Sequence, residues 1–352
     1  MSGLPPPESA SPESSASELS TTSSGRARLW MFVRLLLGVV GIAVVVWLVR
    51  DVGVDALLEV IVPALPWLPL AALLEVLRVG MDAVSTRESL GQRGRVPWRP
   101  MFGAHLVAFA VMGVAPAGRA TAEAVKAGLL ARWIGGATAA AVATANQANT
   151  LLSSGTFTLL SAGAAYVTTG PSILTWALLI HFVSMNACGL GLRALARYER
   201  LGTWLSKRFP RLEAEIEGFH ATSRETSLYP VRPVAAMMVG RGFQAAHFAV
   251  LAAAVGISPS VLGALAVHGV YLVIAAIGVA VPGQLGASEG GFAMSADVLG
   301  TTEARALSIA LLAHAIQFFV VALGFVVLAL WPAQPKDDQA SQARTAGSGA
   351  GA

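Results

Sequence analysis

The sequence predicts an all-α polytopic membrane protein with about six full transmembrane helices plus two oppositely oriented re-entrant helical hairpins, an inverted repeat. Three observations carry this. Hydrophobic residues make up 55% of 352 and charged residues 12%, with a mean hydropathy of +0.65, whereas a soluble domain carries about 25% charged residues. Six apolar segments can each span a core of ~30 Å as a helix. Two further apolar regions break at Pro and Gly where hydrocarbon would lie, and each places a Glu seven positions after the Pro: Pro116 to Glu123 and Pro282 to Glu289.

The elements follow in order. Residues 1–28, rich in Ser and Pro and without apolar periodicity, read as a disordered cytoplasmic tail. The first apolar run is followed by no small-residue cleavage site and reads as a retained anchor. The transmembrane domain covers 29–331, with full spans at 29–49, 61–79, 133–160, 171–192, 233–255 and 306–330. Residues 332–352 form a second tail.

Charge decides what the two broken regions, 101–132 and 261–300, do. The 78–99 connection carries Arg78, Arg87, Arg93, Arg95 and Arg99. The 193–232 connection carries eight further Lys and Arg residues and reads as an amphipathic stretch on the inner leaflet, with Trp204, Phe209 and Leu212 beside its basic residues. Both belong in the cytoplasm by the positive-inside rule. An even number of crossings then separates them, so 101–132 enters and leaves on the cytoplasmic side. The same reasoning makes 261–300 dip in from outside, with both termini cytoplasmic in a cell (inner or plasma) membrane.

Opposed hairpins of this kind bring broken helix ends to the midplane, where irregular backbone is tolerated only if it is buried or lines a wet cavity. Thr121 and Ser288 are candidate caps of the restarted helices. Gly283 and Gly286 allow close backbone approach, and Arg119 supplies a fork of donors suited to a phosphodiester. Lys126, three residues after Glu123, is that carboxylate's nearest candidate partner. Glu75, Arg78 and Asp82 fall on one helical face, as do Arg241 and Gln244. "NQANT" at 146–150 suits interhelical hydrogen bonds.

Several classes are excluded or disfavoured. One cysteine, Cys188, leaves no internal disulfide or Cys-based metal cluster. The isolated histidines match no zinc spacing, and no GxxxxGK[ST] loop is present. A net charge of +4 reports membrane orientation rather than nucleic-acid binding. No cofactor is expected.

"PAGRATAEAVKAGLL" (116–130) and "VPGQLGASEGGFA" (281–293), with an Arg-bearing second span and a basic amphipathic connection midway, resemble the lysylphosphatidylglycerol synthase transmembrane family over about 29–331. That family's flippase-like membrane domain occurs alone or fused to a synthase domain. The resemblance implies movement of a polar-headed lipid between leaflets along a path lined by re-entrant helices, with Arg78, Arg119, Glu123 and Glu289 as functional residues. The second motif has Ser288 where the family often has Arg. No synthase domain is present, so aminoacyl transfer is not implied.

The residue-level expectation is therefore a lipid transporter, not an enzyme. Its candidate substrate contacts are Arg78, Arg119, Glu123, Lys126, Arg241, Gln244, Pro282, Gly283, Gly286, Ser288 and Glu289. Its partners are membrane lipids, an anionic phospholipid or a glycolipid, and a separate lipid-modifying synthase is an open partner, as is a second copy of the chain. The alternatives are an intramembrane enzyme acting on lipid phosphates through His247, His268 and Glu289, or a small-ion carrier.

Overall fold

The computed structural model describes residues 36, 39–115, 118–257, 260–278 and 281–331, and Pro282 by its backbone alone. The two expected tails, and Pro116 itself, lie outside the described residues. Among the described residues every regular element is helical.

The chain runs α1 (39–52), α2 (Val54–Ala64), α3 (Leu68–Leu90), α4 (Trp98–Val114), α5 (Gly118–Ile134), α6 (Gly136–Thr169), α7 (Ile173–Arg197), α8 (Glu199–Arg208), α9 (Glu213–Arg224), α10 (Val231–Ala254), α11 (Val261–Ile277), α12 (Ala287–Met294) and α13 (Glu303–Ala329). Pro63, Pro66 and Pro69 withhold backbone donors where α2 passes into α3, and a 3₁₀ turn at Leu65–Trp67 takes up the change of register.

Four stretches are long and apolar enough to cross a membrane: Val54–Leu90, Ile173–Arg197, Val231–Ala254 and Glu303–Ala329. They match four of the six expected spans. The 133–160 span is the long, unbroken α6, 34 residues from Gly136 to Thr169. It carries no charged residue, but its Ala, Gly, Ser, Thr and Asn content keeps it outside the apolar set. The 29–49 span lies partly outside the described residues.

The surface is inverted relative to a water-soluble protein. On α7, Ile173, Trp176, Ile180 and Val183 are all more than half exposed, and Phe318 and Phe319 stand out from α13. Large apolar side chains at this density fit hydrocarbon, not water. Cys188 is exposed on α7 as well, not packed inside.

Inside, small residues set the spacing. α6 is the central post and packs against α3, α5, α7, α9, α10 and α11. Gly155 lies flush against Asn186 of α7, and Gly189 of α7 against Leu152 and the Ala148 carbonyl, so a methyl group at either glycine would clash. A core cluster including Val79, Phe248, Leu251, Val270, Phe292 and Ile309 ties α3, α10, α11, α12 and α13 together.

The broken regions are two short helical pairs. α4 and α5 have 17 residues each, about 26 Å of helix, and pack along one another. α11 has 17 residues and α12 only 8, about 12 Å. Each falls short of a ~30 Å core by itself. The second break begins at Gly278, four residues before Pro282.

The expected caps are not the ones used. α5 starts at Gly118 (φ +29°), which puts Thr121 inside the helix and Glu123 beyond its first turn, out of reach of the unpaired N–H groups. α12 is preceded by Gly286 (φ +79°), not Ser288. Its backbone lies against the Gly41 backbone of α1, which leaves no room for a capping side chain there. Glu289 takes over, its Oε2 accepting the Gly286 N–H at 2.8 Å.

Between α7 and α10, α8 and α9 fill the expected amphipathic connection, with Trp204, Phe209 and Leu212 exposed. Arg193 differs from the basic residues of a leaflet-facing stretch. It is buried at the end of α7, where it donates to Asn149 Oδ1 (2.8 Å) and the Ser227 carbonyl (2.8 Å), fastening the connection to α6.

Candidate functional site

Both breaks open on one cavity of about 440 Å³. Gly113 and Gly118 border it from the first break, and Gly283 and Gln284 from the second. The two turns meet there: a Cβ built on Gly283 would stand 3.8 Å from the Gly113 carbonyl oxygen. α3, α6, α7, α10 and α13 complete the wall.

Three arginines line the cavity, and their partners separate them. Arg78 is matched by carboxylates from its own helix. Its Nη2 lies 2.8 Å from Glu75 Oε1 and its Nη1 3.2 Å from Asp82 Oδ2, with Phe109 under the guanidinium. The i, i+3, i+7 spacing in the sequence produces this arrangement directly. Glu75 lines the cavity too, but its Oε1 is engaged by Arg78.

Arg119 and Arg241 have neutral partners. Arg119 donates to Gln147 Oε1 (3.1 Å) and Thr150 Oγ1 (3.1 Å). Arg241 donates to Gln244 Oε1 (2.7 Å) and Ser154 Oγ. Thr150 and Ser154 are one turn apart on α6, about 6 Å along its axis. The two guanidinium groups are thus anchored to adjacent turns of one helix, facing one cavity.

Glu123 and Lys126 pair with each other at 2.6 Å, Lys126 being 2% exposed. They sit behind the cavity wall, not on it. Asn146 donates to Glu123 Oε1, Thr86 donates to Asn146 Oδ1, and His105 Nε2 lies 2.9 Å from Thr86 Oγ1. This layer knits α3, α4, α5 and α6 together just outside the first break.

Glu289 is 1% exposed and also lies behind the wall. Besides holding the Gly286 N–H, it meets His314 Nδ1 of α13 at 2.7 Å. His314 Nε2–H donates to the Gly283 carbonyl at 3.0 Å, an atom that can only accept, which leaves Nδ1 and the Glu289 carboxyl sharing one proton. Glu289 and His314 together therefore clamp both ends of the second turn.

Of the candidate contacts, Arg78, Arg119, Arg241, Gln244, Gly283 and Ser288 border the cavity, and Glu123, Lys126, Gly286 and Glu289 stand behind it. The side chain of Pro282 lies outside the described part of the chain. Sequence reasoning missed Gln147, Thr150, Ser154 and His314 as site residues. "NQANT" carried a signal for two of them, since a polar run in an uncharged membrane helix needs partners. Nothing in the sequence pointed from His314 to Glu289, 25 residues away.

His247, His268 and Glu289 each bond a partner other than one another. His247 Nδ1 bonds the Ala71 carbonyl, His268 Nε2 lies 3.4 Å from Gln244 Oε1, and Glu289 is held by His314. Among the described residues no group of three or more His, Cys, Asp or Glu is placed to hold a metal ion.

No curated protein and no solved structure matches this sequence. The sequence model described as the lysylphosphatidylglycerol synthase TM region matches residues 31–324, which takes in both broken helical pairs and the whole cavity wall. With its long apolar helices, the chain is a multi-pass membrane protein, and it belongs to the lysylphosphatidylglycerol synthase TM region family.

Proposed function

We propose that this protein moves a polar-headed lipid, a phospholipid or a glycolipid or isoprenoid-linked lipid, between the two leaflets of its membrane. The head passes through the cavity between the two breaks while the chains stay in the bilayer. α4–α5 enters from the cytoplasmic side and α11–α12 from the opposite side, with both termini cytoplasmic; the distribution of Lys and Arg supports this orientation.

The single observation that carries the reading is the convergence of both breaks on a cavity that holds two arginines bonded to neutral groups. A guanidinium away from bulk water is costly until an anion joins it. Arg119 and Arg241 lie where a phosphate between the leaflets would pass. With no nucleotide-binding loop in the sequence, movement is passive or driven by an ion gradient.

Proteoliposomes test this. Purified protein should speed the leaflet exchange of fluorescently labelled phospholipid or glycolipid above that of protein-free vesicles, and Arg119→Gln should slow it. Exchange no faster than in empty vesicles, across all labelled lipids, sinks the reading.

A further inference from the structure

We infer that the seat formed by Arg119 and Arg241 takes a lipid head that is anionic overall, a phosphodiester bearing hydroxyl groups, and rejects the aminoacylated, cationic head after which the family is named. The lipid part of this inference rests on the transport reading above. The anion preference stands on the cavity's own charges.

Three arginines, Glu75 and three histidines line the cavity; with His181 and His247 neutral and His314 balanced by Glu289, the arginines and Glu75 leave it at +2. Asp82, bonded to Arg78 from behind the wall, lowers the local balance to +1. One phosphodiester brings that to neutrality. It also supplies Arg119 and Arg241 with the anionic partner that Gln147, Thr150, Ser154 and Gln244 do not provide. Charge-assisted bonds from a guanidinium to a phosphate oxygen are about twice as strong as neutral ones.

A lysyl ester adds positive charge to the same volume. The carboxylate on the wall, Glu75, already accepts from Arg78 through Oε1. Glu123 is paired with Lys126 behind the wall, and Glu289 is enclosed with His314. A second ammonium would therefore sit among arginines with no carboxylate in reach that is not already engaged, and like charges at low dielectric repel strongly.

What the cavity offers beyond phosphate is neutral and polar. Gln244, Ser288, Gln147, Thr150 and Gln317 provide amide and hydroxyl groups suited to a glycerol or sugar.

Binding and transport separate the two claims. Detergent-solubilised full-length protein is titrated with dihexanoyl-phosphatidylglycerol, with its lysyl ester, and with chain-free glycerophosphoglycerol, following thermal stabilisation. Phosphatidylglycerol should half-saturate at a concentration at least about tenfold below that of the lysyl ester, and below that of the chain-free head. Arg119→Gln and Arg241→Gln should each erase most of that preference, and Arg241→Lys should keep part of it.

Equal or tighter binding of the lysyl ester overturns the anion preference, as does unchanged phosphatidylglycerol binding in both glutamine variants with native-like melting. Equal binding of the chain-free head overturns the lipid part, leaving a soluble anion as ligand. Proteoliposomes that bind phosphatidylglycerol without moving it leave the preference standing and sink the transport reading instead.

Discussion

The two breaks share a seven-residue Pro-to-Glu spacing, yet their carboxylates do different work. At the first break, Glu123 lies beyond the first turn of α5 and pairs with Lys126 on its own helix. The first break contributes charge to the cavity through Arg119. At the second, Glu289 sits in the first turn of α12, holds the Gly286 N–H and meets His314 from α13. The second break contributes a turn locked from both ends, and no arginine. Repetition of a motif thus supplies two turns between short helices, while the surrounding helices decide which turn carries charge and which is clamped.

The difference can be broken most forcefully at the second turn. His314→Leu leaves the enclosed Glu289 without its ring partner, and removing one member of a buried pair costs about 3–5 kcal/mol. Removing both, in Glu289→Leu with His314→Leu, should not restore stability, because the Gly286 N–H and Gly283 carbonyl are then left unbonded at about 1–3 kcal/mol each. The midpoint of unfolding of the purified protein in an SDS titration reads both effects. Recovery in the double variant would mean the turn does not depend on the clamp.

The first break should respond the opposite way. Lys126→Met strands Glu123 and should cost about 3 kcal/mol, near the low end for a buried pair because the Glu123 side chain keeps 13% exposure. Here the double variant, Glu123→Met with Lys126→Met, should recover most of the loss, since among the described residues the pair bonds no backbone group of the turn, and Asn146 retains Thr86. A double-variant cycle in the same titration gives the coupling. If the first pair fails to recover and the second does, the contrast between the breaks is reversed.

Much of this was readable in the sequence where partners share a helix. Glu75, Arg78 and Asp82, Glu123 and Lys126, and Arg241 and Gln244 all meet at helical spacings, and all are found bonded. The breaks were readable because Pro and Gly interrupt apolar runs. What could not be read was the far end of each bond that crosses between helices: Arg119 to Gln147 and Thr150, Arg241 to Ser154, and Glu289 to His314. Those pairings depend on how α6 and α13 pack, which no local periodicity encodes. The caps failed for a related reason. Ser288 is the better cap by side-chain chemistry, but the approach of α1 at Gly41 selects Gly286.

Backbone at the second turn sharpens the comparison at smaller cost. Gly286→Ala meets both a positive φ of 79° and the Gly41 backbone, so it should destabilise by about 2–3 kcal/mol. Gly283→Ala faces a φ of 60° with its nearest neighbours at 3.8 Å, ordinary contact, and should cost only about 1–2 kcal/mol. The ranking of these two variants in the SDS titration tests whether α1 really bears on the turn. Equal losses would mean that the φ angle alone matters and that α1 adds nothing.

The smallest effect belongs to Gln284, whose φ of 60° is the one positive value outside glycine among the described residues. Left-handed backbone costs most residues roughly 1 kcal/mol, and asparagine bears it better than glutamine because its short amide bonds locally. Gln284→Asn should therefore stabilise the turn by about 0.5 kcal/mol, a small rise in the SDS midpoint. The first break offers no such site: Gly118 holds its one positive φ among the described residues, and is already glycine. A gain at Gln284, set beside losses at Gly283 and Gly286, would identify the second turn as the place where the fold holds its strain. A loss at Gln284 would mean that the longer side chain makes a contact on the cavity wall worth more than the strain it bears.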